Sequence, residues 1–385
     1  MNKDNIVERV ELQLIEKSNY YYDKIFLGCA YSGELYNLAN DMLKSFILKK
    51  EKINKNDFIE KIMQSKKAQR DIEMLTKNIS KQIINVCWRD HESYKKNIDN
   101  YFENLDYNLK NEIKCPNIPE NKNNGFVVFY GKYDFKYKDN VIMLPICDET
   151  ITLKMKDKGI PIGIDIIPSN KKIIVNIIYE TEIDYEKARI ASCDIGLRNF
   201  LAITNNFYKD PVIIDGLSFY EEYNFEEDKI KEFVDRSISF VSNYCFENKI
   251  KYFVLGNILS TKSMMKINSD KKDLFNSYDH IYFYKTLKKE IERNGTKLIL
   301  VNEHYTSGTS FLDREIPNKK NYNYSRRNGD VFISRYGLKI NADINGSYQI
   351  MRKAFPMMFF DDYYDLDSFK FEPKYIYLID KTKNL

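Results

Sequence analysis

The order of apolar segments in the C-terminal half constrains the fold of this chain more than any other sequence feature. Three apolar runs joined by short polar turns come first (ARIASC, FLAITNN and PVIIDG), and two further runs, KYFVLG and KLILVN, each follow a helical pattern. Strands joined by tight turns pair antiparallel, whereas strands joined through helices pair parallel. We therefore predict an α/β domain over residues 185–360 with the strand order of an RNase H-like fold.

The N-terminal half predicts further modules, so that the chain is multidomain. Residues 1–30 contain an alternating strand at Val7–Leu14, and residues 31–115 carry a helical pattern with a basic outer surface. Residues 116–184 follow a loop rich in Pro and Asn and contain short apolar runs separated by turns. They predict a small antiparallel barrel, which the helical module interrupts. Residues 361–385 are assigned as a C-terminal tail.

The charge of the chain permits nucleic-acid binding without requiring it. The formal net charge is +4, from 60 basic and 56 acidic residues, whereas strong binders usually carry a larger basic excess. Basic residues concentrate between Lys44 and Lys96 and between Lys319 and Arg335, where a solvated face is the other interpretation. The candidate phosphate contacts are Lys49, Lys50, Lys66, Lys67, Arg70, Arg326 and Arg327.

Compartment signals favour a cytoplasmic protein without a membrane partner. The start, MNKDNIVERVELQL, is too charged for a signal peptide, and no apolar run approaches membrane-spanning length. The six cysteines form no CxxC pair, which is typical of reduced structural thiols.

Three carboxylates lie at strand ends or at a helix start, where a catalytic or metal-binding site can form. Asp194 ends an apolar strand, Glu303 follows another, and Asp343 opens the last strong helix. Taken singly, each has a structural interpretation as a turn cap, an exposed strand end or a helix cap. Taken together, they can meet at one sheet edge and hold two divalent ions for phosphodiester hydrolysis, with Mg²⁺ or Mn²⁺ as the expected metal.

The turn that follows Asp194 also allows another enzyme class. Sugar-kinase and actin-like ATPases contact phosphate and metal with a similar DxGxN turn, and DIGLRN fits that pattern. A second glycine-rich loop for adenosine is missing from the sequence downstream, which disfavours the ATPase interpretation.

Three segments in order, CDIGLRNFLAIT, NEHYTSGTSFLD and INADINGSYQIMRKAFP, resemble the RuvC motifs of TnpB proteins. These are transposon-encoded, RNA-guided DNA nucleases related to small type V CRISPR effectors. The resemblance implies a RuvC nuclease domain, a wedge domain for the barrel and a recognition module for the helices. It implies a guide RNA from a transposon end and a double-stranded DNA target with a short adjacent motif. Asp194 and Asp343 would be metal ligands, and we expect a monomer.

The chain departs from that family at the middle carboxylate. The place where most relatives carry it is held by Gly256 and Asn257. We expect Glu303, at the end of the next strand, to replace it, because Gly256 leaves space for a longer side chain to cross. Residues 304–342 lack the ligand cysteines of relatives, so we expect no zinc. The prediction is an RNA-guided DNA endonuclease; the alternative is a guided DNA-binding repressor that does not cut.

Overall fold

The computed structural model describes residues 6–110, 114–169, 172–182, 188–196, 198–219, 226–260, 279–356 and 368–378. The chain divides into two compact units. We call Glu11–Ile177 the helical unit, and Met1–Val10 together with Ile178–Leu385 the mixed-sheet unit. The predicted modules 31–115 and 116–184 therefore fall almost entirely within one unit. The predicted tail, 361–385, lies mostly outside the described residues.

The helical unit combines amphipathic helices with short antiparallel strands. The chain enters it through strand β1 (Ile6–Glu16). The helices are α1 (Tyr22–Lys49), α2 (Lys55–Met63), α3 (Gln69–Leu75), α4 (Lys77–Glu103) and α5 (Leu105–Lys110). The strands that follow are β2 (Val128–Gly131), β3 (Lys136–Lys138), β4 (Val141–Ile146), β5 (Glu149–Lys154), β6 (Ile160–Pro168) and β7 (Lys172–Glu182).

Within this unit α1 packs against α3 and α4, and α4 also holds α2. The helical pattern is confirmed, but α1 begins at Tyr22 rather than near residue 31, inside the segment assigned to the barrel. Tyr21 makes no side-chain capping bond at this start, so the sequence carries no N-cap signal there. The strands form an antiparallel β3–β4–β5 sheet and an antiparallel β2–β6 pair. Closure into a barrel stays a prediction.

The mixed-sheet unit contains the elements that position the carboxylates. Its strands are β8 (Ile190–Ile195), β9 (Asn199–Asn205), β10 (Val212–Asp215), β11 (Tyr252–Gly256), β12 (Lys297–Val301), β13 (Arg327–Asn328), β14 (Val331–Ile333), β15 (Lys339–Asn341) and β16 (Lys374–Ile376). Its helices include α6 (Glu227–Glu247), α7 (His280–Arg293) and α8 (Ala342–Ala354).

The strand order of this unit is β16–β10–β9–β8–β11–β12–β1. Strands β8, β9 and β10 form an antiparallel meander, and β11 then pairs parallel with both β8 and β12. The predicted meander and the parallel strands after helices are thus confirmed. Parallel strands point their carboxyl ends to one edge, so β8, β11 and β12 end together.

Helix α8 is the central packing element of the unit. It lies against β8, β9 and β11, and nearly all of its residues are buried. Asn341 caps its start, because the side-chain oxygen accepts hydrogen bonds from the Asp343 and Ile344 amides at 3.0 and 3.1 Å. The cap is Asn341 rather than Asp343, which leaves the Asp343 carboxylate available for other contacts.

The segment between Glu303 and α8 is folded rather than an open basic loop. Strands β13, β14 and β15 form a small antiparallel sheet within it. Asn345 of α8 fixes an earlier part, since its Nδ2 donates to the Thr309 carbonyl at 2.8 Å and its Oδ1 accepts from the Phe311 amide at 2.9 Å. Arg352 of the same helix donates to the carbonyl of Glu315 at 3.0 Å.

Among the described residues, no helix combines the length and apolar character needed to cross a membrane.

Candidate functional site

Asp194 lies at the carboxyl end of β8, where the strand meets helix α8. Its side chain occupies the space that a Cβ would fill at Gly346, because a Cβ built there would lie 3.3 Å from Asp194 Cγ and overlap Oδ2. Hydroxyl contacts hold the two elements together: Ser192 Oγ donates to the Ser347 carbonyl at 2.7 Å, and Ser347 Oγ donates to the Ser192 carbonyl at 3.0 Å. The small residues of α8 therefore seat Asp194 against the helix.

Glu303 reaches back across the end of the neighbouring strand. Leu255 pairs with Cys193, and Gly256 pairs with Val301, so Gly256 stands between the strand of Asp194 and the strand that precedes Glu303. A Cβ built on Gly256 would lie 2.7 Å from Glu303 Cγ and overlap its carboxylate. The missing side chain at residue 256 is thus the space that Glu303 occupies.

The charges of these carboxylates affect the pKa values of two neighbouring groups, the buried Cys193 and the half-buried Lys353. Burial raises the pKa of the Cys193 thiol well above its ordinary value, and the negative charges of Asp194 and Glu303 act in the same direction. Burial lowers the pKa of the Lys353 ammonium group, whereas the charges of Glu8 and Glu303 oppose that change. Asp194 and Glu303 therefore contribute to one common electrostatic environment.

Asp343 is buried at the start of α8, and both of its oxygens have partners. Arg327 Nη2 donates to Oδ1 at 3.0 Å, and Asn199 Nδ2 donates to Oδ2 at 2.8 Å. A Cβ on Gly196 would lie 3.6 Å from Oδ2, which places this oxygen beside the turn that follows Asp194. The three carboxylates named from the sequence are therefore drawn toward one region.

One cavity of about 600 Å³ receives all three carboxylates. Two arginines, Arg198 and Arg327, and a fourth carboxylate, Asp330, also line it. Arg198 and Asp330 are exposed and only 3.9 Å apart. Within the described part of the chain, no three acidic, His or Cys side chains are already grouped closely enough to hold an ion.

The predicted phosphate contacts separate into exposed and internally bonded residues. Lys49, Lys50, Lys66 and Lys67 are exposed in the helical unit. Arg70 is exposed too, but its Nη2 donates to Tyr31 Oη at 2.9 Å and its guanidinium lies over the Tyr31 ring. These groups belong to the unit that does not contain the three carboxylates.

Arg326 and Arg327 are adjacent but point to different partners. Arg326 bonds Glu315 at 2.6 Å and Asp313 at 3.2 Å, and it lies over the Phe332 ring. Arg327 instead pairs with Asp343 in the cavity wall. Of the two, only Arg327 lines the cavity.

Sequence reasoning missed several residues that line the cavity or hold it in shape: Arg198, Asn199, Tyr322, Tyr324 and Asp330. The Asn199 position could have been noticed, because it opens the strand that pairs directly with the strand of Asp194. The others lie on segments without periodicity. Their approach to the cavity depends on the tertiary path of the chain.

The sequence matches no protein-family model and no curated protein. Solved structures with some similarity include a Cas12f1–sgRNA–target DNA complex, at 15% identity and a TM-score of 0.35, covering 89% of this chain and 98% of that chain. A CRISPR–Cas12f ternary complex shows 14% identity and a TM-score of 0.33, with coverage of 85% and 81%.

Proposed function

We propose that this chain is an RNA-guided DNA endonuclease of the TnpB type, with an RNase H-like RuvC centre. One observation carries the proposal: the carboxylates of the three ordered motifs, Asp194, Glu303 and Asp343, line a single cavity. The Glu303 side chain occupies the space over Gly256, where the sequence resemblance expects the middle acidic residue. In this proposal the acidic residue missing at Gly256, at the end of β11, is replaced by Glu303, which follows the neighbouring strand β12 about 4.8 Å away.

A hard divalent cation fits the chemistry of the donors. Carboxylate oxygens are the ligands that Mg²⁺ and Mn²⁺ prefer, and three elements of the fold supply them here. We propose that Asp194, Glu303 and Asp343 hold the metal, which must replace Arg327 at the Asp343 carboxylate. When bound, such ions activate water and stabilise the leaving oxygen of a phosphodiester.

The remaining cavity residues position the acids and the substrate. Asn199 holds one Asp343 oxygen at 2.8 Å and so fixes the rotation of that carboxylate. Arg198 is exposed at the cavity rim, and its guanidinium can donate two parallel hydrogen bonds to two oxygens of a phosphate. Arg327 can serve the same role once it leaves Asp343. The chain's own cations therefore hold the backbone of the strand to be cut.

The guide and target are inferred from the motif resemblance and the exposed lysines. In this proposal a transposon-end RNA supplies sequence specificity by pairing, and the protein reads a short motif beside the DNA target. The exposed lysines that can contact phosphates are Lys49, Lys50, Lys66 and Lys67. Each such contact gains affinity because it releases counterions from the nucleic acid.

A second function, guided DNA binding without cleavage, is favoured by the Asp343 contacts. Arg327 neutralises this carboxylate in the structure. Among the described residues, no three acidic, His or Cys side chains are grouped closely enough to hold a metal ion. A protein in which that ion pair persists on the target would occlude a promoter rather than cut it. The two functions differ in one measurable property, Mg²⁺-dependent strand scission.

The decisive experiment combines RNA identification with cleavage. RNA that co-purifies with the protein is sequenced, and a matching DNA target is offered with Mg²⁺. Asp194→Asn, Glu303→Gln and Asp343→Asn should each lower cleavage about a hundredfold or more while target binding persists. Asp330→Asn is the matched control, because Asp330 lines the same cavity outside the motifs, and it should change cleavage only a few-fold. Target binding without any scission by the wild-type protein would support the repressor instead.

A further inference from the structure

Two tyrosines form an aromatic wall of the carboxylate cavity. Tyr322 and Tyr324 both line it, and their side chains are 37% and 54% exposed. They alternate in the sequence NYNY, and Asn323 between them is extended at φ −141° and ψ 97°. Alternate residues of an extended segment face the same side. The rings are nearly parallel, with an interplanar angle of 23° and centroids 6.4 Å apart.

This pair, which we call the tyrosine platform, is held in place before any ligand arrives. The Asn323 amide donates to the Gly308 carbonyl at 2.7 Å. The Tyr322 ring rests on the bare backbone of Gly308, where a Cβ would lie 2.7 Å from ring atom Cδ2. Tyr305 packs edge-on against Tyr322 at 5.6 Å. Rings that are already fixed lose little conformational freedom on binding.

The charge of the cavity explains why an aromatic wall is useful there. Four carboxylates and two arginines line the cavity, and Arg327 is already paired with Asp343. Apart from the contacts that Arg198 and Arg327 can make, a polyanionic backbone therefore gains little net electrostatic attraction from these walls. Stacking of bases on aromatic rings supplies affinity that does not depend on net charge and tolerates any base sequence. Only unpaired bases expose their faces for it.

We propose that Tyr322 and Tyr324 form a stacking platform that receives unpaired bases of single-stranded DNA beside the carboxylates. The proposal deepens the nuclease function above, on which it rests for the identity of the strand. It names two specificity-determining residues at this cavity, because rings that stack on unpaired bases favour a separated strand over an intact duplex.

The test measures binding without cleavage. Full-length protein carrying Asp194→Asn is titrated, in Mg²⁺ buffer, with a short single-stranded DNA that contains the fluorescent base 2-aminopurine. Its duplex and an RNA of the same sequence are titrated in parallel. We expect preferential binding of the single-stranded DNA with quenched fluorescence. The double change Tyr322→Leu/Tyr324→Leu should weaken it about tenfold or more, which corresponds to about 1.4 kcal/mol. Tyr322→Phe/Tyr324→Phe should keep the affinity.

Two controls separate stacking from misfolding. Tyr336→Leu removes an exposed tyrosine, 81% accessible, that does not line the cavity, and it should have no effect. Gly308→Ala displaces the Tyr322 ring without altering either tyrosine and should weaken binding in the same direction. Unchanged affinity in the double leucine variant, equal loss with Tyr336→Leu, or preference for duplex or RNA would overturn the proposal. Cleavage by the parent protein with no effect of the leucines would leave the nuclease standing and the platform refuted.

Discussion

The carboxylate of Glu303 lies where a side chain of residue 256 would be, so that Gly256 and Glu303 share one volume at the end of β11. Gly256 is buried, and its register partner in β12 is Val301, two residues before Glu303. The position of the acidic group is therefore set jointly by the glycine that yields the space and the glutamate that enters it.

Gly256→Ala should remove activity through Glu303 alone. The added methyl group meets the end of a flexible side chain, so the protein should stay folded, with a change of about 1 kcal/mol or less in the free energy of unfolding. Cleavage of a guided target should fall about a hundredfold, because Glu303 is turned out of the cavity. Rates are measured beside thermal unfolding by circular dichroism.

A double-mutant cycle checks that route. If the glycine acts only by admitting Glu303, Gly256→Ala/Glu303→Ala should cleave no more slowly than Glu303→Ala. Additive losses would mean that Gly256 contributes in some other way.

Arg326→Ala should destabilise the fold, whereas Arg327→Ala should affect it weakly. Removing Arg326 takes the cation from the buried carboxylate of Asp313 and leaves Glu315 with only the exposed Arg335 as an ionic partner, and we expect a loss of about 3 kcal/mol. The Arg327 pair with Asp343 is more accessible and should contribute about 1 kcal/mol. Urea unfolding followed by circular dichroism measures both. Equal losses would show that the two arginines do not differ in structural role.

The salt dependence of nucleic-acid binding should report on Lys66 and Lys67. Both are exposed in the helical unit, and each phosphate contact contributes about 0.9 to the slope of log K against log salt for duplex DNA. Lys66→Ala/Lys67→Ala should lower that slope by about 1 to 2. The matched control, Lys288→Ala/Lys289→Ala, removes an equally exposed pair from α7. An identical drop in both variants would indicate only a general charge effect.

The Asp71 carboxyl should favour the folded helical unit more strongly as the pH falls from about 6 toward 4. Burial raises the pKa of Asp71 from 3.8 to about 6; the Glu34 charge adds to the rise, and Arg70 opposes it. The folded state therefore holds a proton that the unfolded state releases between these values, so the stability that Asp71 contributes declines as the pH rises through this window. Burial lowers the pKa of His91, in the same unit, from 6.5 to about 4, which acts in the opposite direction over the same window. Asp71→Asn should therefore gain stability relative to the wild type as the pH rises from 4.5 to 7.

Trp88 provides the measurement, because it is the only tryptophan of the chain and packs on Phe58 in the helical unit. Urea midpoints from its fluorescence are compared between pH 4.5 and 7. Asp99→Asn, an exposed change on α4, is the control and should keep the wild-type trend. A difference between the Asp71→Asn and wild-type midpoints that stays the same at pH 4.5 and pH 7 would contradict the assignment.

The central strands and the positions of the carboxylates at their ends could be predicted from the sequence, because both depend on short local patterns. Apolar runs such as IASC and FLAIT bury both faces, and an acid at the end of such a run must lie at the sheet edge. Even the crossing of Glu303 over Gly256 could be expected from a missing side chain beside a long one.

The different ion-pair partners of Arg326 and Arg327 could not be predicted in the same way. They are neighbours in one basic segment but have different partners, because Arg326 ends a short helical turn whereas Arg327 begins β13. Strands of two or three residues, such as β13 and β14, are too short to show a period. Their pairing depends on contacts made elsewhere in the fold.

The hydrogen bonds of Asn345 bear on how this protein can be redesigned. Helix α8, which carries Asp343 in its first turn, also binds Thr309 and Phe311 through Asn345, in the stretch that follows Glu303. A graft that replaces residues 309–315 would therefore loosen a scaffold shared by two of the acids. New specificity is better inserted farther along the loop, around the exposed Lys319 and Lys320, where the backbone is not tied to that helix.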